Sequence, residues 1–94
     1  MHYFAYPALF YKDEDLVRVI FPDLSISTEG ANLTEAFLFA KDLLRVYFSY
    51  AIKYEIEYNL PSKVENIIPK CKQNEVAMLV DTFVGPNDIK NINN

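Results

Sequence analysis

The chain has 94 residues, of which 51% are hydrophobic and 23% are charged, so it can form one small domain with an apolar core. Its 13 acidic and 9 basic side chains give a formal net charge of −4, which argues against the basic surface that nucleic-acid binding normally requires. A single cysteine excludes an internal disulfide framework. No apolar run is long enough to span a membrane, and the N-terminus lacks the basic region of a signal peptide. We therefore expect a soluble, cytoplasmic protein.

The N-terminal part of the chain has the composition of three β-strands. Residues 3–11 are rich in aromatic side chains and carry no charge, which favours a strand. Pro7 within this strand predicts an edge or a bulge, because proline donates no hydrogen bond. After a polar turn, the β-branched run 16–21 predicts a second strand that pairs with the first as a hairpin. Pro22 ends that strand, and the alternating residues 24–29 predict a short third one.

A long amphipathic helix follows Gly30. Asn32 is a favourable N-cap, and Glu35 three residues later completes the pattern of a capping box. The spacing predicts a helix that ends near residues 54–58, before Pro61. The apolar stripe that we expect to face the core comprises Leu33, Ala36, Phe37, Ala40, Leu44, Tyr47 and Ala51. The polar face comprises Glu35, Lys41, Asp42, Arg45, Ser49 and Lys53.

A second apolar stripe flanks the first on the same helix. It comprises Phe39, Leu43, Val46 and Tyr50. A helix that lies on one sheet buries only one stripe against that sheet, so the second stripe can be covered in one of two ways. Either the C-terminal loop folds over it, or it is an interface with a partner or a second copy, since contiguous apolar patches are rare on monomers. The interface interpretation predicts a homo-oligomer, either a dimer or a tetramer.

The C-terminal part predicts one more strand. Residues 59–74 contain two prolines and mixed charges, which predicts a long loop with little regular structure. Residues 75–83 have an uninterrupted apolar centre and predict a fourth strand. We expect the polar residues 87–94 to be a disordered tail after a domain formed by residues 1–86. The order β-β-β-α-β predicts an α+β fold in two layers, with one helix packed on a small mixed sheet.

Side chains suited to catalysis are few. His2 is the only histidine, and two glycines are too few for a phosphate-binding loop. A two-metal nuclease needs carboxylates that converge on neighbouring strands. The carboxylates available to such a site do not show that arrangement; they are Asp13, Glu14, Asp15, Asp23, Glu35 and Asp42. We therefore expect a binding protein without metal or cofactor, with a metal-dependent nuclease as the alternative.

Several segments together resemble the HicB antitoxin family. Residues 6–11 read Tyr-Pro-Ala-Leu-Phe-Tyr, and residues 19–24, after an acidic turn, read Val-Ile-Phe-Pro-Asp-Leu. The segments that fit the same pattern further along are 28–30, 33–36, 40–44, 60–62 and 76–84. The resemblance covers residues 3–85, which is nearly the whole chain.

The resemblance implies both a fold and a function. The fold is a partial ribonuclease-H-like sheet with the order β-β-β-α-β. The implied function is to bind and neutralise a small, basic, RNA-cleaving toxin of the HicA type by covering its active site, and an acidic chain suits such a partner. The alternative is a HicB-like oligomeric binding or regulatory module without a toxin. Members of the family continue into a DNA-binding domain, whereas here only polar residues follow the last strand, so we expect no direct DNA binding.

Two groups of residues are candidates for contact with the toxin. Glu35 and Asp42 are seven residues apart and share one side of the helix with Ser49. The segment Phe21, Pro22, Asp23 and Leu24 adds a rigid apolar corner and one more carboxylate. The resemblance implies that the toxin uses a histidine, which a carboxylate such as Asp42 would hydrogen-bond in an unreactive state. The alternative is that Glu35 only caps the helix and Asp42 is only solvated.

Overall fold

The computed structural model describes residues 1–92. Its strands are β1 (His2–Asp13), β2 (Leu16–Phe21), β3 (Ile26–Gly30) and β4 (Glu75–Val84). Its helices are α1 (Leu33–Lys53), α2 (Val64–Ile67), continued by a 3-10 turn (Ile68–Lys70), and α3 (Pro86–Lys90). The strands form one four-stranded sheet in the order β3-β2-β1-β4.

The predicted α+β architecture is confirmed. Three strands, the long helix and a fourth strand follow one another as expected, and α1 packs on one face of the sheet. All three strand pairings are antiparallel, where a mixed sheet was expected. The reason is that α1 ends near the start of β1, where Phe48 stacks on Phe4, and residues 54–74 then carry the chain back to the other end of the sheet, where Glu75 pairs with Tyr11. There β4 pairs with β1 in the opposite direction.

Pro7 lies in the central strand β1 and not at the predicted edge or bulge. The pairing of β1 with β2 begins only at Leu9, so β2 has ended before it reaches Pro7, which faces Leu79 of β4 on the other side. The hairpin closes on the pair Asp13–Leu16, which in a two-residue hairpin is hydrogen-bonded. Because N–H groups alternate along a strand, the missing N–H of Pro7 belongs on the β2 side, where no ladder bond is lost.

The core lies between α1 and the sheet. The fully buried residues of α1 include Ala36 and Ala40, whose small side chains let the helix approach the strands closely. The Phe48 ring stacks on Phe4 of β1, with 3.8 Å between ring centroids. Leu33 is exposed and does not join the buried stripe in which the sequence places it, because it is the first residue of α1 and lies at the margin of the sheet.

Gly30 joins β3 to α1 at a close approach of two backbones. A Cβ atom at this position would lie 2.4 Å from the backbone nitrogen of Ala36. The sequence predicts the helix start correctly: the Asn32 side chain accepts the Glu35 N–H at 2.9 Å. Glu35 reaches back to the Ala31 N–H at 3.0 Å and so completes the cap.

The helix α1 ends at Lys53, slightly before the predicted range 54–58. Glu55 follows with a left-handed φ of 52°. The Ile56 N–H donates to the Ala51 carbonyl at 2.9 Å, and the Glu55 N–H donates to the Ile52 carbonyl at 3.4 Å. These two bonds satisfy the last carbonyls of the helix and turn the chain away from the helix axis.

Two segments that the sequence predicts as irregular contain short helices. The α2 helix lies in the predicted loop 59–74 and contacts β1 and β4. The α3 helix lies in the tail that was expected to be disordered. It is held on α1 by Arg45, which donates to Asp88 at 2.8 Å, and by the Lys53 ammonium, which donates to the Ile92 carbonyl at 2.7 Å. Residues 93–94 of that predicted tail lie outside the described residues.

Candidate partner-binding surface

One face of α1 points away from the sheet and stays open to solvent. It carries Glu35, Phe39, Asp42, Val46 and Tyr50, which recur at three- and four-residue steps, and we call it the α1 outer face. The Phe39, Val46 and Tyr50 side chains are 46%, 38% and 44% exposed. The predicted partner carboxylates Glu35 and Asp42 and most of the predicted oligomer interface therefore share a single surface.

The surroundings of the α1 outer face leave it accessible. Leu43, the fourth residue of the predicted interface, turns toward the core and is half-buried against it. In residues 1–92 neither the loop after α1 nor the C-terminal segment covers Phe39, Val46 or Tyr50. The α3 helix lies beside this face and forms with it a shallow groove of about 360 Å³, lined in part by Val46, Tyr50 and Ile92.

The charges on this face are held in place by α1 and α3. Asp42 accepts a hydrogen bond from Arg45, which also donates to Asp88 of α3. The bond with Asp42, reinforced by Asp88, raises the pKa of the Arg45 guanidinium. The Gly85 N–H and Arg45 together hold the pKa of Asp88 below its ordinary value. Asp42 remains largely exposed, so it can accept a further hydrogen bond from a partner.

The predicted apolar corner after β2 belongs mainly to the core. Phe21 is fully buried and Leu24 is 8% exposed, so neither is available to a partner. The β2–β3 turn tucks both side chains under α1, and only Pro22 is exposed. The Asp23 carboxylate accepts the Ser62 N–H at 2.9 Å and the Ser62 hydroxyl at 2.6 Å. Asp23 thus fastens the loop after α1 to the sheet.

Two other residues of the predicted polar helix face have structural roles. Ser49 is only 3% exposed, because α3 packs beside it, and its hydroxyl donates to the Arg45 carbonyl at 2.7 Å. The sequence placed Ser49 in solvent because α3 was not predicted. Glu35 caps the start of α1, as described above, yet it remains partly exposed at the end of the α1 outer face.

The described residues offer no grouping typical of metal-dependent catalysis. Across residues 1–92, no three or more His, Cys, Asp or Glu side chains lie close enough together to hold a metal ion. In the same part of the chain, no helix has the length and hydropathy to cross a membrane. What the α1 outer face can do chemically is bind: it offers hydrophobic contact beside carboxylate acceptors.

The sequence did not identify a second apolar surface, which lies along β4. Leu79 and Phe83 are each more than half exposed, as is Val76 at the start of the strand. The run from Val76 to Val80 reads as a buried strand because it contains no charge. Its position at the edge of the sheet leaves it open, and only the strand order reveals that position.

Solved structures resemble the chain in fold. A chain in a toxin–antitoxin complex from Streptococcus pneumoniae is 22% identical, with a TM-score of 0.73 over 90% of this chain and 75% of that chain. A chain in a HicA3 and HicB3 toxin–antitoxin complex is 17% identical, with a TM-score of 0.64 over 88% of this chain and 100% of that chain. No family model and no curated protein matches. The chain therefore has a fold found in toxin–antitoxin complexes, in agreement with its resemblance to HicB-like antitoxins.

Proposed function

We propose that this chain is an antitoxin-like protein that binds a small RNA-cleaving toxin of the HicA type and neutralises it by covering its active site. The observation that carries the proposal is the α1 outer face, where exposed Phe39, Val46 and Tyr50 lie beside the carboxylates Glu35 and Asp42. Monomeric surfaces rarely leave such a row of large hydrophobic residues open. The fold shared with chains of toxin–antitoxin complexes supports the same function.

The two kinds of side chain on this face have different roles in binding. Phe39 and Tyr50 supply the buried aromatic contacts that dominate the affinity of protein interfaces. The carboxylates and the net charge of −4 favour a basic partner. Attraction between the opposite charges increases the association rate, and the bound chain excludes RNA from the toxin surface that it covers. Asp42 is the carboxylate that we assign to the toxin's catalytic histidine or to a neighbouring cation.

Calorimetric titration with a HicA-type toxin tests the proposal. Val46→Glu places a charge in the apolar centre of the α1 outer face and is expected to abolish toxin binding. Asp42→Ala is expected to weaken the free energy of toxin binding by about 1–3 kcal/mol, the loss for a charge pair that is shielded from water in the complex. In the Asp42→Ala variant, Arg45 keeps Asp88 as a partner, so the attachment of α3 is preserved. Glu29→Ala is the matched control, because Glu29 is a carboxylate that pairs with Arg18 on β2, away from α1.

The outcomes separate the proposal from its alternative. Toxin binding that is unchanged by Val46→Glu, Asp42→Ala and Asp42→Lys in folded variants would move the toxin interface to another surface. An absence of binding to HicA-type toxins, together with self-association that Val46→Glu abolishes, would instead favour an oligomeric module without a toxin. In that case Phe39, Leu43, Val46 and Tyr50 form the contact between copies.

A further inference from the structure

The strand β4 presents an unpaired backbone edge. Within the described residues the sheet ends at β4, which pairs with β1 on one side only. Pro7 has no N–H and faces Leu79, so the ladder bonds between β1 and β4 involve the residues on either side of this pair. The N–H and C=O groups of Ala77, Leu79, Asp81 and Phe83 therefore point outward. Consistent with this alternation, the Glu75 N–H donates to the Lys72 carbonyl and not to β1.

Large hydrophobic side chains border this edge on both faces of the sheet. Tyr3, Leu79 and Phe83 lie on the face opposite α1, and the Tyr3 and Phe83 rings are 4.7 Å apart. On the face that carries α1, Val76 lies on the edge strand, and Leu38 of α1 lines a cavity with the neighbouring Met78. Apart from Met78, these side chains are all more than half exposed. A strand added to β4 covers both groups at once, because its own side chains alternate between the two faces.

The charges at the edge favour a second copy of this chain as the partner. The one carboxylate in the exposed part of the strand, Asp81, accepts a hydrogen bond from Tyr3 at 2.6 Å and pairs with Lys41 at 3.1 Å. The edge is therefore close to neutral on a chain whose net charge is −4. Two copies can meet there without opposing unpaired carboxylates, whereas the acidic α1 outer face favours a basic partner. The Lys41–Asp81 pair is exposed and screened by solvent, so an added strand can displace it.

We propose that two copies of the chain associate through β4, antiparallel to each other, and extend the sheet from four strands to eight. The arrangement is isologous, with a two-fold axis perpendicular to the sheet. Pairing centred on Leu79 or Val80 places Asp81 of one copy opposite an apolar residue of the other. Pairing centred on Asp81 would oppose two carboxylates and is disfavoured. This interface lies on a different element from the α1 outer face and does not depend on the proposed toxin.

Sedimentation equilibrium and amide hydrogen exchange test this interface together. The wild-type chain is expected to sediment with twice the monomer mass and to dissociate on dilution. The amides of Leu79, Asp81 and Phe83 should be protected at high concentration and exchange rapidly at low concentration. The amide of Val80, which bonds to β1, should be protected at both concentrations. This alternating pattern is specific to strand addition at the edge.

Substitutions distinguish the β4 edge from the α1 outer face. Leu79→Lys places a charge on the exposed side of β4 and is expected to weaken dimerisation by at least about tenfold while the thermal unfolding transition is kept. Leu79→Pro, which removes an outward N–H and the exposed leucine side chain but no ladder bond to β1, should do the same. Val46→Glu on α1 is the control and should leave the dimer intact. A wild-type monomer at high micromolar concentration, a dimer that survives Leu79→Lys and Leu79→Pro, or a dimer abolished by Val46→Glu would each overturn the proposal.

Discussion

Asp23 offers a test of whether a carboxylate predicted to bind a partner instead stabilises the free chain. Its two carboxylate oxygens accept the N–H and the hydroxyl of Ser62, and its backbone carbonyl accepts the side-chain amide of Asn59 at 2.9 Å. Asp23→Ala removes both carboxylate bonds and leaves the carbonyl bond in place. A residue that only contacts a partner would leave the stability of the free chain unchanged.

The expected loss follows from these two bonds. A hydrogen bond to a charged group contributes about 1.5–3 kcal/mol when it is shielded from water, and less when it is partly exposed. Asp23 and Ser62 are both half-buried, so we expect Asp23→Ala to lower the free energy of unfolding by about 2 kcal/mol. For a domain of this size, that loss corresponds to a fall in Tm of about 8–16 °C.

Thermal and urea unfolding followed by circular dichroism measure this loss. The matched control is Asp13→Ala, since Asp13 is also a carboxylate beside a hairpin turn but pairs with the exposed Arg18 at 2.6 Å. Removal of Asp13 should lower the free energy of unfolding much less, because this exposed pair is screened by solvent. A double-mutant cycle of Asp23→Ala with Ser62→Ala should give a coupling energy of about 1 kcal/mol, because the two residues share the hydroxyl bond. A Tm of Asp23→Ala equal to that of the wild type, or strictly additive effects in the cycle, would refute this reasoning.

Three further predictions concern the backbone and the core. Gly30→Ala should lower the free energy of unfolding in urea by about 3 kcal/mol, because its Cβ would lie 2.4 Å from the Ala36 nitrogen. Gly85→Ala should leave the free energy of unfolding nearly unchanged, because its Cβ would lie 3.7 Å from the nearest atom. Equal losses of stability in Gly30→Ala and Gly85→Ala would contradict this account. Glu55→Gly should raise Tm, since glycine relieves a left-handed φ of 52° by about 0.5–1 kcal/mol; a lower Tm would contradict this. Burial raises the pKa of Tyr6 to about 12 from its ordinary 10.0, with smaller electrostatic effects from Tyr58, Asp23 and Tyr47. The unfolded chain therefore loses the Tyr6 proton at a lower pH than the folded chain does. The contribution of Tyr6 to the free energy of unfolding is complete below pH 10 and is lost as the pH rises toward 12. Thermal unfolding across this range should show a falling Tm, and Tyr6→Phe should make that fall smaller.

Much of the secondary structure could be predicted because its causes are local. The strand 16–21 was predicted with the bounds that β2 has, since a β-branched run is closed on both sides by turn residues. The start of α1 was predicted from Asn32 and Glu35, whose side chains make the cap within one helical turn. The fold class followed from the order of these elements, because a sheet and a helix that each have one apolar face bury those faces against each other.

The tertiary structure alone decided which hydrophobic side chains form the core and which form surfaces. Phe21 and Phe39 are the same residue type, yet the first is fully buried and the second is 46% exposed. Ser49 has the polar character of a solvent-facing position and is buried because α3 returns to α1 from the far end of the chain. The open edge of β4 likewise depends on strand order, which arises from contacts between residues far apart in sequence. Periodicity shows that a residue has an apolar neighbour on its own element, but only the packing of distant elements determines whether another element covers it.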